Sequence, residues 1–128
     1  MKLFTYGTLK KGHYNNYLLN GAEYLGSSKI KGYQCINSPG FPYAIKAKDD
    51  SSIIIGDVFE IERHHLSTTD RLEGYPIHYN RSEVETDYGT AWIYYITKDR
   101  YIDGLVRSYG FCDEWEDNQV CDLSQFYV

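Results

Sequence analysis

The stretch Asp70-Arg71-Leu72-Glu73-Gly74-Tyr75-Pro76 marks the clearest boundary between two structural elements in this sequence. Residues 62–73 contain no glycine or proline, so they are predicted to form a helix. Gly74 fits the position just after a helix, where glycine accepts a left-handed backbone, and Pro76 prevents the helix from resuming. The sequence therefore predicts a helix that ends at Glu73.

Glu73 is the last residue of this predicted helix. At about 100° per residue, it falls on the same half of the helix surface as Leu66, Thr69 and Leu72. This arc is predicted to face inward. The negative end of the helix dipole and partial burial both disfavour a charged carboxylate, so both raise its pKa toward a range suited to proton exchange near neutral pH. The alternative is a solvated glutamate that ends a surface helix, the common situation for this residue type.

Length and charge limit the possible classes of protein. With 128 residues, the chain is predicted to be a single domain, residues 1–128, that buries its own core. The net charge of −5 argues against nucleic acid or an anionic membrane as the main partner. No apolar run approaches the roughly 18 residues that a membrane span needs, and the N-terminus lacks the apolar run of a signal peptide. A cytoplasmic location is predicted.

The cysteines and histidines do not form a recognisable framework. Cys35, Cys112 and Cys121 are an odd number and contain no Cys-x-x-Cys pair, which favours free thiols in a reducing compartment over disulfides. His64 and His65 are adjacent and lack the spacing of a helical metal site, so no metal site is predicted.

The remaining pattern predicts an α+β fold, a small and mostly antiparallel β-barrel with flanking short helices. The predicted strands alternate in polarity or are rich in β-branched residues. They lie at residues 2–6, twice within 22–36 with a break near Gly26 or at Gly32, at 43–46, at 53–61, and in a hairpin of 82–86 with 90–97. A short helix is predicted at 14–19, whereas the pattern after residue 97 is poor and 113–117 is open between loop and helix.

The loop Tyr6-Gly7-Thr8-Leu9 directly follows the first predicted strand. Gly7 allows the backbone to turn sharply or to approach a ligand closely. Successive N–H groups in such a turn can form a site for an anion or an oxyanion. The loop lacks the Gly-x-x-x-x-Gly-Lys spacing of a phosphate loop, so nucleotide binding is not predicted. The alternative is that Gly7 merely ends a strand.

Four blocks of sequence, in this order, resemble the gamma-glutamylcyclotransferase-like (AIG2-like) family, and most closely its gamma-glutamylamine cyclotransferase type. The blocks are Tyr6-Gly7-Thr8-Leu9-Lys10-Lys11-Gly12, Phe41-Pro42-Tyr43-Ala44, Gly56-Asp57-Val58-Phe59-Glu60, and Asp70 to Pro76 with Tyr79 and Arg81. Two positions depart from the family pattern: Thr69 stands where leucine is usual, and Asp57 where glutamate is more usual.

The resemblance implies a fold, a site and a reaction. The fold is a compact β-barrel with flanking helices. Tyr6, Gly7, Thr8 and Leu9 would bind a small γ-glutamyl substrate, and Glu73 would act as general acid and base. In the reaction, the α-amine of a γ-glutamyl group attacks its own side-chain carbonyl and releases 5-oxoproline and an amine, without a cofactor. Two alternatives stay open: a non-catalytic binding module on the same fold, and a different amide or acyl-transfer substrate.

Four further residues are weaker candidates for the pocket wall: Asn16, Tyr79, Arg81 and Tyr94. Arg81 could equally be a structural partner of Asp70, and the sequence does not decide between these two roles. The walls that select the leaving amine are expected opposite the loop that begins at Tyr6, in the C-terminal third of the chain.

Overall fold

Eight β-strands and two α-helices build the part of the chain that the structure, a computed structural model, describes, namely residues 1–116. In chain order they are β1 (Lys2–Thr5), a 3₁₀ turn (Asn16–Leu19), β2 (Glu23–Lys31), β3 (Tyr33–Ile36), β4 (Tyr43–Lys46), β5 (Ile53–Glu60), α1 (Arg63–Glu73), β6 (Asn80–Thr86), β7 (Gly89–Tyr95), α2 (Arg100–Tyr109) and β8 (Phe111–Cys112).

The strands form two sheets, with the orders β2-β5-β1-β7-β6 and β4-β3-β8. Every pair is antiparallel except β1 and β7, which are parallel. The α+β class and the mostly antiparallel strands agree with the sequence prediction. Between β2 and β3 the chain passes from one sheet to the other at Gly32, where φ is 84°, which is one of the two predicted break positions.

The predicted barrel is not found in residues 1–116, because the pairings leave β2 and β6 at the edges of an open sheet. The β2 edge contacts the turn between β6 and β7 through side chains. The Asp87 N–H donates to the Ser28 hydroxyl at 3.0 Å. A Cβ at Gly26 would collide with the Tyr88 hydroxyl, so Tyr88 covers the face of β2 at this glycine.

Side chains of the central strands alternate between two buried clusters, as the two-residue period of a strand requires. Leu3 and Tyr94 belong to the cluster that packs with the helices, whereas Phe4 and Ile93 belong to the other cluster, which contains Trp115. Strand β1 is therefore buried on both faces, and the loop that follows it emerges from the middle of the larger sheet.

Helix α1 ends as the sequence predicts. Gly74 adopts the left-handed conformation, with φ of 66°, and the Tyr75 N–H bonds the Asp70 carbonyl at 2.9 Å. At the other end, Glu62 and His65 each accept the other's backbone N–H, which satisfies two donors that a helix start leaves open. The C-terminus of α1 is thus fixed at the position where Glu73 leaves the helix.

The region after residue 97 contains elements that the sequence analysis left open. Helix α2 begins at an Asp99 cap, whose carboxylate accepts the Ile102 N–H at 2.9 Å, and residues 113–116 are not helical. Asp117 and Cys121, which entered the predictions, lie outside the described residues. No helix in the described part of the chain has the length and apolar character needed to cross a bilayer.

Candidate functional site

A cavity of about 330 Å³ lies between the loop after β1, the loop before β4 and the end of α1. Its wall combines residues that are far apart in the sequence. It is lined by Phe4, Thr5, Tyr6, Gly7, Thr8, Leu9, Tyr14, Asn15, Gly40, Phe41, Pro42, Leu72, Glu73, His78, Tyr79 and Tyr94. The five site residues predicted from the sequence therefore border the same space: Tyr6, Gly7, Thr8, Leu9 and Glu73.

The bend at Gly7 is held tightly. A Cβ at this position would lie 2.7 Å from the Pro42 ring, so a larger residue would push the two loops apart. The Lys10 N–H bonds the Gly7 carbonyl at 3.0 Å, and the Asn15 N–H bonds the Thr8 carbonyl at 2.8 Å. The Asn15 amide also donates to the Thr8 hydroxyl at 2.9 Å. These bonds fix the loop around the cavity.

The backbone N–H groups of this bend are available to a ligand. Among residues 1–116, no hydrogen bond from the N–H of Gly7, Thr8 or Leu9 is present. Free N–H groups in a tight bend are suited to a carboxylate or an oxyanion. Anion binding at this bend stays a prediction, with these three N–H groups as its candidate donors.

Glu73 carries the only carboxylate among the described lining residues. Burial raises the pKa of Glu73 to about 7. Within the described part of the chain, no hydrogen bond or ion pair to its carboxylate is present. A carboxyl group with this pKa is found in both protonation states near neutral pH, as a group that both removes and returns protons requires.

The tyrosines around Glu73 remain protonated. Burial, and next the charge of Glu73, raise the pKa of Tyr6 well above the ordinary tyrosine value. Burial and the neighbouring Tyr6 and Glu73 do the same for the pKa of Tyr79. The Tyr6 hydroxyl donates to the Tyr94 carbonyl at 2.6 Å, so Tyr6 also joins β1 to β7 behind the cavity.

Arg81 is a partner of Asp70 rather than a pocket residue, which decides between the two roles left open by the sequence. Its Nε lies 2.9 Å from Asp70 Oδ1 and its Nη2 lies 3.2 Å from Oδ2. The guanidinium also lies between two rings, 4.2 Å from the centre of Tyr75 and 4.5 Å from that of Trp92. The hydroxyl of Tyr94 donates to the same Asp70 Oδ1 at 2.6 Å.

Two of the other three weaker candidates line the cavity. Tyr79 and Tyr94 line the cavity, whereas Asn16 does not and instead donates its amide to the Leu9 carbonyl at 2.9 Å. Its neighbour Asn15 lines the wall. The expectation for Leu72 was wrong: it is 42% exposed, because it borders the open cavity and not the packed core.

The sequence analysis missed the wall opposite the bend. Gly40, Phe41 and Pro42 belong to the lining, and Tyr94 is its last member within residues 1–116. The prediction for the C-terminal third is met by Tyr94 alone in these residues, and residues 117–128 lie outside the described part of the chain. The signal in the sequence was the Phe41-Pro42-Tyr43-Ala44 block, which the resemblance had already singled out.

The C-terminal part instead supports the two wall loops from behind. The fully buried Trp115 donates its indole N–H to the Ser38 carbonyl at 2.9 Å. Its own carbonyl accepts the Lys10 ammonium at 2.6 Å. Among the described residues, no group of three or more His, Cys, Asp or Glu side chains is placed to hold a metal ion.

Solved structures share this fold. The chain matches the crystal structure of the uncharacterized protein PH0828 from Pyrococcus horikoshii with a TM-score of 0.60 and 25% identity, covering 99% of this chain and 94% of the other. An aig2-like protein from Mus musculus matches with a TM-score of 0.74, covering 91% of this chain and 88% of the other. Its identity of 16% supports the fold alone.

The sequence comparisons define the family. Residues 3–116 match the family described as "Gamma-glutamyl cyclotransferase, AIG2-like". The gamma-glutamylcyclotransferase family protein YtfP of Escherichia coli K12 is 30% identical over 105 residues, which are 82% of this chain and 88% of the relative. The chain belongs to the gamma-glutamyl cyclotransferase, AIG2-like family.

Proposed function

We propose that this protein is a γ-glutamyl cyclotransferase that acts on a small γ-glutamyl amide and releases 5-oxoproline. The α-amine nitrogen forms a bond to the γ-carbonyl carbon, and the bond from that carbon to the leaving nitrogen breaks. The α-ammonium nitrogen loses two protons on its way to the lactam N–H, one before the attack and one after it. The leaving nitrogen takes up both and departs as an ammonium, so the reaction needs no other reactant. Family membership supports the class of reaction. The observation that supports the chemistry is one unpaired carboxyl, with a pKa of about 7, beside a bend rich in free N–H groups.

Glu73 is the proposed acid and base. As a carboxylate it removes a proton from the substrate ammonium, and as a carboxylic acid it protonates the departing nitrogen. One group performs both steps because its pKa of about 7 makes both forms accessible. General acid–base catalysis of this type contributes about 10²–10⁴-fold to the rate.

The cavity is proposed to supply the remaining rate enhancement by orienting the substrate. Since nucleophile and electrophile belong to one molecule, holding it in a cyclisable conformation can contribute on the order of 7–11 kcal/mol of the barrier. The free N–H groups of Gly7, Thr8 and Leu9 are proposed to bind the α-carboxylate or the developing oxyanion. The rigid bend, fixed against Pro42 and Asn15, keeps these donors in position before the substrate arrives.

The substitution Glu73→Gln tests this assignment. We expect 5-oxoproline release from a panel of γ-glutamyl amines, γ-glutamyl amino acids and glutathione to fall by about 10²-fold or more, because the amide cannot accept the ammonium proton. Glu83→Gln, the same chemical change at an exposed position of β6, is the matched control and keeps the wild-type rate.

Two outcomes would contradict the proposal. Release of 5-oxoproline by the Glu73→Gln variant at the wild-type rate would exclude Glu73 from the mechanism. Binding of the panel by the wild-type protein without any product would favour the non-catalytic binding module. Thermal unfolding of each variant, followed by circular dichroism, separates a lost reaction from a lost fold.

A further inference from the structure

Two cysteines lie directly opposite each other on neighbouring strands. Strands β3 and β8 pair in antiparallel register, and Cys112 is the partner of Cys35 in this ladder. Directly opposed residues of an antiparallel pair have Cα atoms about 4.5–5.5 Å apart, and their side chains point to the same face. A disulfide requires Cα atoms about 4.4–6.8 Å apart. The register therefore places the two thiols at a separation that a disulfide can bridge.

The contacts of the two side chains agree with this register. Cys35 belongs to the buried cluster that contains Trp115, and Cys112 packs against the same cluster. Both are free thiols in the described part of the chain. Neither belongs to the described lining of the cavity, so the proposed reaction does not use them.

The two thiols differ in exposure and in acidity. Cys35 is 0% exposed, whereas Cys112 is partly exposed. A hydrogen bond from the Cys35 side chain lowers the pKa of Cys112, and the nearby Lys10 ammonium acts in the same direction. The same hydrogen bond and burial raise the pKa of Cys35. Because the thiolate is the nucleophile in disulfide exchange, Cys112 is the thiol that reacts first with an external disulfide.

We infer that Cys35 and Cys112 are a reversible dithiol–disulfide pair, which a low-molecular-weight disulfide oxidises within the native fold. The Cys112 thiolate attacks one sulfur of the oxidant, so a mixed disulfide forms and one thiolate leaves. The Cys35 sulfur then attacks Cys112 Sγ and displaces the second thiolate. Two protein thiols are oxidised, the oxidant is reduced to two small thiols, and the protons of the protein thiols pass to them.

The new bond joins the two segments that hold one wall of the cavity. Ser38 and Trp115 each follow one of the cysteines by three residues, and the Trp115 indole N–H bonds the Ser38 carbonyl at 2.9 Å. A disulfide that closes a long loop restricts the unfolded chain, so the oxidised form should be the more stable one. Disulfides in reducing compartments are usually transient and redox-sensing, which is the role that a reversible pair can fill.

Thiol counting and mass spectrometry test the inference in a Cys121→Ser variant, because Cys121 lies outside the described residues. The probe is 2-hydroxyethyl disulfide, which is not a γ-glutamyl compound. We expect the folded variant to lose both thiols, to lose two hydrogen atoms in mass without retaining the probe, and to recover both thiols in dithiothreitol. Two unreacted thiols, a stable mixed disulfide or a disulfide-linked dimer would overturn the inference.

Peptide mapping of the oxidised wild-type chain provides the matching observation without a substitution. We expect a cross-linked peptide pair that contains Cys35 and Cys112. A bond from either of them to Cys121 as the main product would contradict the assignment.

Two further changes in the Cys121→Ser background test the order of the steps. Cys35→Ala should stop at the mixed disulfide, because Cys112 then has no thiol to displace the probe. Cys112→Ala should leave the buried Cys35 to react more slowly by about tenfold or more. Circular dichroism confirms that each variant is folded. Equal rates at the two positions, or the opposite order, would overturn the inference.

Urea unfolding of the oxidised and reduced Cys121→Ser variant tests whether the bond fits the native strand pairing. We expect oxidation to raise the midpoint by about 1 M or more. An unchanged or lower midpoint would show that the bond strains the β3–β8 pair and would overturn the inference. These measurements do not depend on 5-oxoproline release, so a failure of the proposed reaction leaves their outcome unaffected.

Discussion

Two carboxylates lie one turn apart on α1, and their surroundings are opposite. Asp70 accepts two hydrogen bonds from Arg81 and one from the Tyr94 hydroxyl. Glu73 borders the cavity, and burial raises its pKa to about 7. The sequence alone does not indicate which of the two carboxylates is paired, because both are acidic residues in the same short stretch.

The two surroundings give the two carboxylates different roles, one in stability and one in proton exchange. A carboxylate with several donors is stabilised in its charged form and holds two elements together. A carboxylate that is desolvated without donors is destabilised in its charged form, and this is the usual way to obtain proton exchange near neutral pH. The Asp70 pair fixes the end of α1 to β6 and β7, and this fixed end carries Glu73 to the cavity.

The largest expected effect on stability comes from the structural member of the pair. Asp70→Asn should lower the free energy of unfolding by about 2–3 kcal/mol, because the Arg81 guanidinium keeps its place between two rings but loses its counterion. Urea unfolding of the wild type, Asp70→Asn, Arg81→Met and the double variant measures this. If the ion pair is the cause, the double variant costs less than the sum of the single changes. Additive costs would show that Asp70 acts independently of Arg81.

Replacing the Glu73 carboxylate by an amide should instead raise the free energy of unfolding. Burial raises the folded-state pKa to about 7, above the value in an unfolded chain. The stabilisation of the protonated form is complete below the unfolded pKa and is lost as the pH rises through 7. Glu73→Gln removes this loss, so at pH 8 the variant should be more stable than the wild type by on the order of 1–3 kcal/mol.

This second prediction is checked by the difference in unfolding free energy between wild type and Glu73→Gln at a series of pH values. The difference should shrink from pH 8 toward pH 5 and be close to zero below the unfolded pKa. A constant difference across this range would mean that Glu73 is not desolvated in the folded protein. Asp70→Asn serves as the contrast, because it remains destabilising at pH 8.

Features set by residues adjacent in the sequence could be predicted, whereas features set by contacts between distant segments could not. The end of α1 at Glu73 and the bend at Gly7 could be predicted because glycine permits backbone conformations that other residues avoid, whereas proline fixes φ and lacks an N–H. The exposure of Leu72 could not, since helical periodicity gives the arc of a residue but not how far the neighbouring core extends. The prediction that this arc of the helix faces inward was correct for Thr69, which is fully buried, and wrong for Leu72, which is 42% exposed.

Other parts of the site depend on contacts between distant segments. The wall at Phe41 is formed by a loop that Trp115 holds through the Ser38 carbonyl, a contact between residues with no common pattern. Helix α2 did have a local signal, in the spacing of Ile102, Leu105 and Val106 and the capping Asp99, which the sequence analysis did not use. The open sheet could not be predicted either, because whether β2 and β6 pair depends on contacts between segments that are far apart in the sequence.

The smallest expected effect is at Thr69, whose hydroxyl contacts the Tyr94 side chain that also bonds Asp70. Its side chain is fully buried, and its hydroxyl lies 2.8 Å from that of Tyr94. The Thr69 hydroxyl also donates to the Leu66 carbonyl at 3.1 Å, so its removal eliminates both contacts. Thr69→Val should therefore cost about 0.5–1.5 kcal/mol of unfolding free energy, measured in urea, with Thr68→Val at the partly exposed neighbouring position as control. If Thr69→Val is neutral in the wild type and in Tyr94→Phe alike, Thr69 does not belong to the network that holds Asp70.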